Sequence, residues 1–224
     1  MQSRRIALLG LAASALALVA FMILASVFKQ DAFLQRDLAL TQRIHAGEET
    51  IFATAFDIIT DAGKSVLILV VLQVAALLWA RRQLADLAFW LGTIGAGFVL
   101  NLGLRMLLQG PRPYLEDIAI IQQNTGFPSG HAMMSLITYG LLIYGLRGRL
   151  ERRAWLLVSG ALVVLVLLIG YSRMFFGFHY LSDVVGGYAA GLFWLSLCLS
   201  ARALWPAVAR RSDTRVAGAP EGRY

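Results

Sequence analysis

The sequence predicts an all-α membrane protein: a bundle of six transmembrane helices, with amphipathic helices in the outer interface between the first and the second. Three observations lead there. Of 224 residues, 58% are hydrophobic and only 15% charged, with a mean hydropathy of +0.69; a soluble domain carries about 45–50% apolar and about 25% charged residues. Six apolar runs approach the ~20 residues with which a helix crosses a ~30 Å hydrocarbon core. Arginines gather in alternate connections, as they do when alternate loops face the cytoplasm.

The first run, residues 6–28, has no charge and follows Arg4 and Arg5. Basic residues also precede signal peptides, but a signal's apolar stretch is about 7–15 residues long and ends at a small-residue cleavage site. This run is longer and has no such site, so it reads as a retained helix. Residues 29–63 mix apolar and polar side chains, with Phe33, Leu34, Leu38 and Ile44 at helical spacing. They read as one or two amphipathic helices in the outer interface. The second span, residues 65–80, is short and can extend back past Lys64. The third, 87–104, ends at Arg105, and the fourth, 132–146, follows a polar stretch. Spans at 154–172 and 184–201 complete the set. Gly187 and Gly191 suit close helix contact inside the bundle. The charged stretch 210–224 contains Gly and Pro and reads as a disordered cytoplasmic tail. Residues 1–209 then form one membrane domain.

With six crossings, Arg4 and Arg5, Arg81 and Arg82, the cluster from Arg147 to Arg153, and Arg202 onward fall on one side. That side is the cytoplasm by the positive-inside rule, and both termini lie there. These inner clusters read as topological signals and imply no site. The length excludes a large multidomain enzyme. A net charge of +7 suits nucleic acid, an anionic membrane surface or a phosphorylated substrate; the hydropathy favours the last two. The single Cys198 forms no intrachain disulfide.

Ionisable groups are rare at membrane depth unless a function or a partner holds them. Three segments break that rule together: Arg105 with Arg112-Pro113; Pro128-Ser129-Gly130-His131; and Ser172-Arg173 with His179 and Asp183. All three fall on the outer side of the six-helix map. Three guanidinium groups match the oxygens of a phosphate. Ser129 adds a hydroxyl donor. Gly130 allows close backbone approach at a helix start whose N–H groups favour an anion. If their stretch is helical, His179 and Asp183 share a face, and the carboxylate can hold one ring nitrogen and leave the other as nucleophile. His131 is a second imidazole, suited to proton transfer. Ser172 suits a helix cap as well as a place beside the site. Phe175, Phe176, Phe178 and Tyr180 suit an interfacial belt, bundle packing or a grip on a lipid chain. His45 reads as structural.

These segments resemble the type 2 phosphatidic acid phosphatase (PAP2) superfamily of integral membrane lipid phosphatases. Its pattern is Lys-x6-Arg-Pro, Pro-Ser-Gly-His and Ser-Arg-x5-His-x3-Asp. The second and third pieces are intact here; in the first, Arg105 replaces Lys. The resemblance implies that His179 forms a phosphohistidine, that Asp183 orients it, and that His131 protonates the leaving oxygen and then activates water. It further implies that Arg105, Arg112, Ser129, Gly130 and Arg173 bind phosphate oxygens, with no metal and no cofactor. The partners implied are the bilayer and a membrane lipid phosphate: a polyprenyl pyrophosphate such as the undecaprenyl carrier, phosphatidylglycerol phosphate, phosphatidic acid or a lipid A phosphate. No nucleic acid is expected, and nothing in the sequence sets an oligomeric state. Two other functions use the same residues differently. A phosphotransferase would pass the phosphate to a lipid or sugar hydroxyl, and a catalytically silent scaffold would only bind lipid.

Overall fold

The computed structural model describes residues 2–45, 52–109 and 126–217, with side chains from Arg4 up to Leu204. It contains α1 (Gln2–Val27), α2 (Asp31–His45), α3 (Ala53–Ala62), α4 (Ser65–Ala80), α5 (Leu84–Leu108), α6 (Gly130–Leu146), α7 (Arg152–Phe175) and α8 (Leu181–Ala217). Apolar runs become helices here because lipid offers no partner for backbone N–H and C=O groups. The tail expected from residue 210 begins inside α8, and residues 218–224 lie outside the described part.

The six-crossing expectation is corrected. Five stretches among the described residues are long and apolar enough to span a membrane: Arg4–Val27, Ala53–Ala80, Leu84–Leu108, Arg152–Phe175 and Leu181–Leu204. The expected fourth span is α6, a shorter apolar helix of 17 residues. At ~1.5 Å per residue it rises about 25 Å, short of the ~30 Å core. Its apolar side chains serve protein packing: Ala132, Met133 and Ile137 are fully buried. Hydropathy gives equal weight to a lipid-facing run and to one enclosed by other helices.

The outer segment also differs. α2 is the amphipathic helix, whereas α3 joins α4 as one broken rod, Ala53–Ala80. The break falls at Gly63 and Lys64, whose N–H groups bond to Thr60 O at 3.0 Å and Asp61 O at 2.9 Å. Lys64 then leaves helical geometry at φ −131°, ψ −87°.

α6 sits among α4, α5, α7 and α8, and α1 lies along α8. Ser14 Oγ donates to Phe193 O at 3.0 Å, and Gly10 faces Ser200, so α1 runs antiparallel to α8. Phe127 stacks on Phe28 and Phe21 at 4.3 and 5.6 Å between ring centroids. Polar side chains inside the bundle bond to carbonyls of neighbouring elements: Tyr139 Oη to Ala62 O at 2.7 Å, Trp194 Nε1 to Thr93 O at 2.9 Å and Tyr188 Oη to Val166 O at 2.7 Å. Each such donor left unpaired would cost about 1–3 kcal/mol. Leu9, Leu107 and Leu157 point outward, as lipid-facing side chains do.

Candidate active site

The site forms where the α7–α8 turn meets the start of α6. Gly177 adopts φ +64°, a left-handed conformation that glycine takes at no steric cost. Around it the N–H groups of Phe178 and His179 bond to Arg173 O at 2.9 and 3.2 Å. This tight turn carries His179 to the threshold of α8. Asp183, the third residue of that helix, reaches back: Oδ2 accepts the Tyr180 N–H at 3.0 Å, as the carboxylate of a capping box does. The same oxygen lies 3.1 Å from His179 Nδ1, and both side chains are buried. The two residues therefore meet through a helix cap and not, as the spacing suggests, as neighbours on one helix face. With Nδ1–H turned to the carboxylate, Nε2 keeps its lone pair.

A second carboxylate secures the same helix end. Asp37 of α2 accepts the N–H of Leu181 at 3.0 Å and of Ser182 at 3.2 Å, two of the donors that a helix start leaves without intrahelical partners. Burial raises the Asp37 carboxyl above its ordinary range; the bonds from Ser182 pull it down, nearby Asp183 pushes it up, and the Leu181 bond again pulls down.

The turn before α6 is tied to this end. Ser129 N–H donates to Asp183 O at 2.8 Å, and Ser129 Oγ caps α6 by accepting the Ala132 N–H at 3.5 Å. A Cβ on Gly187 would fall 2.5 Å from Ser129 O, so only a glycine lets α8 approach this turn. A Cβ on Gly130 would lie 3.0 Å from Asn101 Oδ1 and 3.9 Å from Arg105 Nη1, which sets the Arg105 guanidinium beside the first residue of α6. His131 Cδ2 packs against Gly63 at the α3–α4 break. The positive charges of Arg173, Lys64 and Arg105 act on it, together with His179.

Arg173 is held by a directed chain of hydrogen bonds. Ser172 Oγ donates to Ile169 O at 2.7 Å, so the 2.8 Å contact between Thr60 Oγ1 and Ser172 Oγ has Thr60 as donor. Thr60 Oγ1 then accepts from Arg173 Nη1 at 3.1 Å. The guanidinium also lies over the Phe178 ring, 4.4 Å from its centroid. The neighbouring aromatics pack on one another: Phe175 meets Phe56 at 4.6 Å and Phe176 at 5.3 Å.

The structure thus gathers His131, His179, Asp183, Ser129, Gly130, Arg105 and Arg173. Arg112 and Pro113 lie outside the described residues. Asp37, Thr60, Asn101 and Lys64 join the site without having been expected there. Their signal in the sequence is weak, because each belongs to the site through a tertiary contact and not through a motif. Among the described residues no group of three or more His, Cys, Asp or Glu could hold a metal ion. Cationic and hydroxyl groups dominate, an arrangement suited to an oxyanion.

A helical membrane bundle with a buried histidine–carboxylate pair, and with guanidinium groups acting on a second histidine close by, defines a class of enzyme that handles phosphate at the bilayer. The profile of the PAP2 superfamily matches residues 84–205, more than half of the chain, and the chain belongs to that superfamily. It is a multi-pass membrane protein and a lipid phosphatase of the PAP2 type. Phosphatidylglycerophosphatase B of Bacillus subtilis (strain 168) is 26% identical over 178 residues, 77% of this chain and 86% of that protein. An Escherichia coli (strain K12) protein provisionally named undecaprenyl-diphosphatase YbjG is 29% identical over 161 residues, 67% of this chain and 74% of the other. Among solved structures, a transmembrane PAP2-type phosphatidylglycerolphosphate phosphatase from Bacillus subtilis superposes with a TM-score of 0.74 at 25% identity, covering 83% of this chain and 93% of that one.

Proposed function

We propose that this phosphatase removes phosphate from a membrane lipid phosphate or diphosphate at the outer face of a bacterial inner membrane, without a metal, through a phosphorylated His179. The observation that carries the mechanism is the buried contact of His179 Nδ1 with Asp183 Oδ2 at 3.1 Å, which leaves Nε2 for attack. Nε2 forms a bond to phosphorus as the bond to the leaving oxygen breaks, and His131 gives that oxygen a proton. Water then attacks the phosphohistidine, His131 takes its proton, and the phosphorus–nitrogen bond breaks to release inorganic phosphate. Arg105, Arg112 and Arg173 bind the phosphoryl oxygens with Ser129 and the Gly130 N–H. Such preset donors stabilise the charge that develops in the transition state. His131 stands among cations, so substrate phosphate is what would supply the compensating negative charge.

The donor set supports metal independence, since guanidinium groups occupy the role that a cation would fill. The name of the Bacillus subtilis relative makes phosphatidylglycerol phosphate the first substrate to test, and that of the Escherichia coli relative makes undecaprenyl diphosphate the second. Phosphatidic acid is the third. The outer-face assignment draws on the charge pattern: Arg81, Arg147, Arg149 and Arg202 line one cavity at the end away from His179, and the antiparallel pairing of α1 with α8 brings Arg4 and Arg5 to that same end.

The test is phosphate release in detergent with chelator, for each lipid. His179→Ala should lower turnover by about 10⁴-fold or more, and Asp183→Asn by about 10³–10⁴-fold, through the wrong tautomer. Quenching the reaction with ³²P-labelled lipid should leave an acid-labile label on the native chain only. Full activity in His179→Ala, or loss of activity to chelator, would overturn the mechanism. Label passing to an added alcohol in preference to water would favour phosphotransfer.

A further inference from the structure

We propose a second lipid site, for an anionic phospholipid with a hydroxyl-bearing head group, at the end of the bundle opposite His179. Two cavities, of about 600 and 820 Å³, share Phe89, Tyr144 and Arg202 as lining residues. The first has Arg81, Arg147 and Arg149 in its wall, and among the described residues no carboxylate pairs with these three. Its one acid, Asp86, is bound by Arg202, whose guanidinium lies 4.5 Å over the Phe89 ring. The chamber is therefore strongly positive after its internal pairing. It also contains Gln83, whose buried Oε1 has no hydrogen-bond partner and so accepts a hydroxyl donor. A phosphodiester answers the guanidinium groups, and a head-group hydroxyl answers the amide oxygen.

The second cavity supplies what an acyl chain needs. Gly92, Thr93, Trp194 and Cys198 line it, and a Cβ on Gly92 would meet nothing within 4 Å. Head-group chamber and apolar groove thus adjoin, in the order in which a lipid enters a bilayer. The site is distinct from the catalytic one: from Asp86 to Arg105 along α5 is about 28 Å at ~1.5 Å per residue. Arg81, Arg147 and Arg149 are exposed, as are Arg82, Arg152 and Arg153; what sets the first three apart is that they line the cavity, a placement that topology does not call for.

The experiment titrates the delipidated full chain in detergent with phosphatidylglycerol or with phosphatidylcholine of the same acyl chains, and reads bound lipid by native mass spectrometry. Phosphatidylglycerol should be held at least about tenfold tighter. The pair Arg81→Gln/Arg149→Gln should abolish that preference, whereas Arg152→Gln/Arg153→Gln, at the same membrane end, should keep it. Arg105→Gln, altered at the candidate active site, should also keep it. Gly92→Phe should weaken both lipids by filling the groove. Soluble glycerol 3-phosphate should not compete at the same concentration. Equal affinity for the two lipids would overturn the proposal. So would equal loss in Arg152→Gln/Arg153→Gln, loss of the preference in Arg105→Gln, an unaffected Gly92→Phe, or displacement by glycerol 3-phosphate. None of these outcomes depends on phosphatase activity, so the second site and the catalytic mechanism fail separately.

Discussion

Asp37 accepts the main-chain N–H of Leu181 at 3.0 Å across 144 residues of sequence. An acid on the amphipathic helix α2 thereby fixes the start of α8, two residues beyond His179. Asp37→Ala would strip partners from the N–H groups of Leu181 and Ser182, at a cost of about 1–3 kcal/mol, and turnover should fall with it. The carboxyl is raised above 3.8, chiefly by burial, which fixes the sign of its pH effect. A folded-state value above the unfolded one means that the folded protein binds more protons between the two. This contribution is complete below about pH 4, the unfolded value, and is lost as pH rises through the raised folded value. The melting temperature of native protein minus that of Asp37→Asn should therefore shrink as pH increases. A difference that grows with pH would refute the assignment.

Thr60 links a membrane rod to a phosphate-binding candidate. It accepts from Arg173 Nη1 at 3.1 Å and donates to Ser172 Oγ at 2.8 Å. Thr60→Val keeps the shape and removes both bonds, and with them the anchor that ties Arg173 Nη1 to α3. kcat/KM should fall about tenfold, or about 1.4 kcal/mol of transition-state stabilisation. Thr60→Ser, which restores the hydroxyl, should recover most of that. A purely structural threonine would instead change melting temperature with kcat/KM intact.

What could be read in the sequence follows physical range. Ser129 to His131 and Arg173 to Asp183 lie within single turns or helix ends, where spacing along the chain decides contact, and His179 could be paired with Asp183 from that spacing. Yet the pairing came by another route: His179 stands before α8, and Asp183 reaches it by reversing over the cap. Periodicity describes helices and is silent about their ends. Asp37, Thr60 and Asn101 were not legible, because each enters the site by tertiary packing between distant elements. The span count failed at α6 for a related reason. Its hydropathy matches that of a membrane span, but 17 residues enclosed by other helices serve the core. Lys64 does not end the second span: the extension back past that residue, open to it on hydropathy alone, is what the rod Ala53–Ala80 shows.

Gly187 offers the sharpest test of how the site is assembled. A methyl added there would sit 2.5 Å from Ser129 O and 2.9 Å from Ala132 Cβ, and the first of these is backbone, which cannot swing aside. Ser129 N–H is meanwhile bound to Asp183 O at 2.8 Å, so pushing α8 away stretches the tie between the His131 turn and the His179–Asp183 pair. Gly187→Ala should cost about 1–3 kcal/mol, as overpacking does, and should lower kcat more than tenfold, since misplacing reacting groups by a fraction of an ångström is expensive. Gly95→Ala is the control, because a methyl there meets nothing within 4 Å; it should leave both melting temperature and turnover near native. Native-like kcat in Gly187→Ala would mean that the two halves of the site tolerate separation, and that the 2.8 Å tie does not position the chemistry.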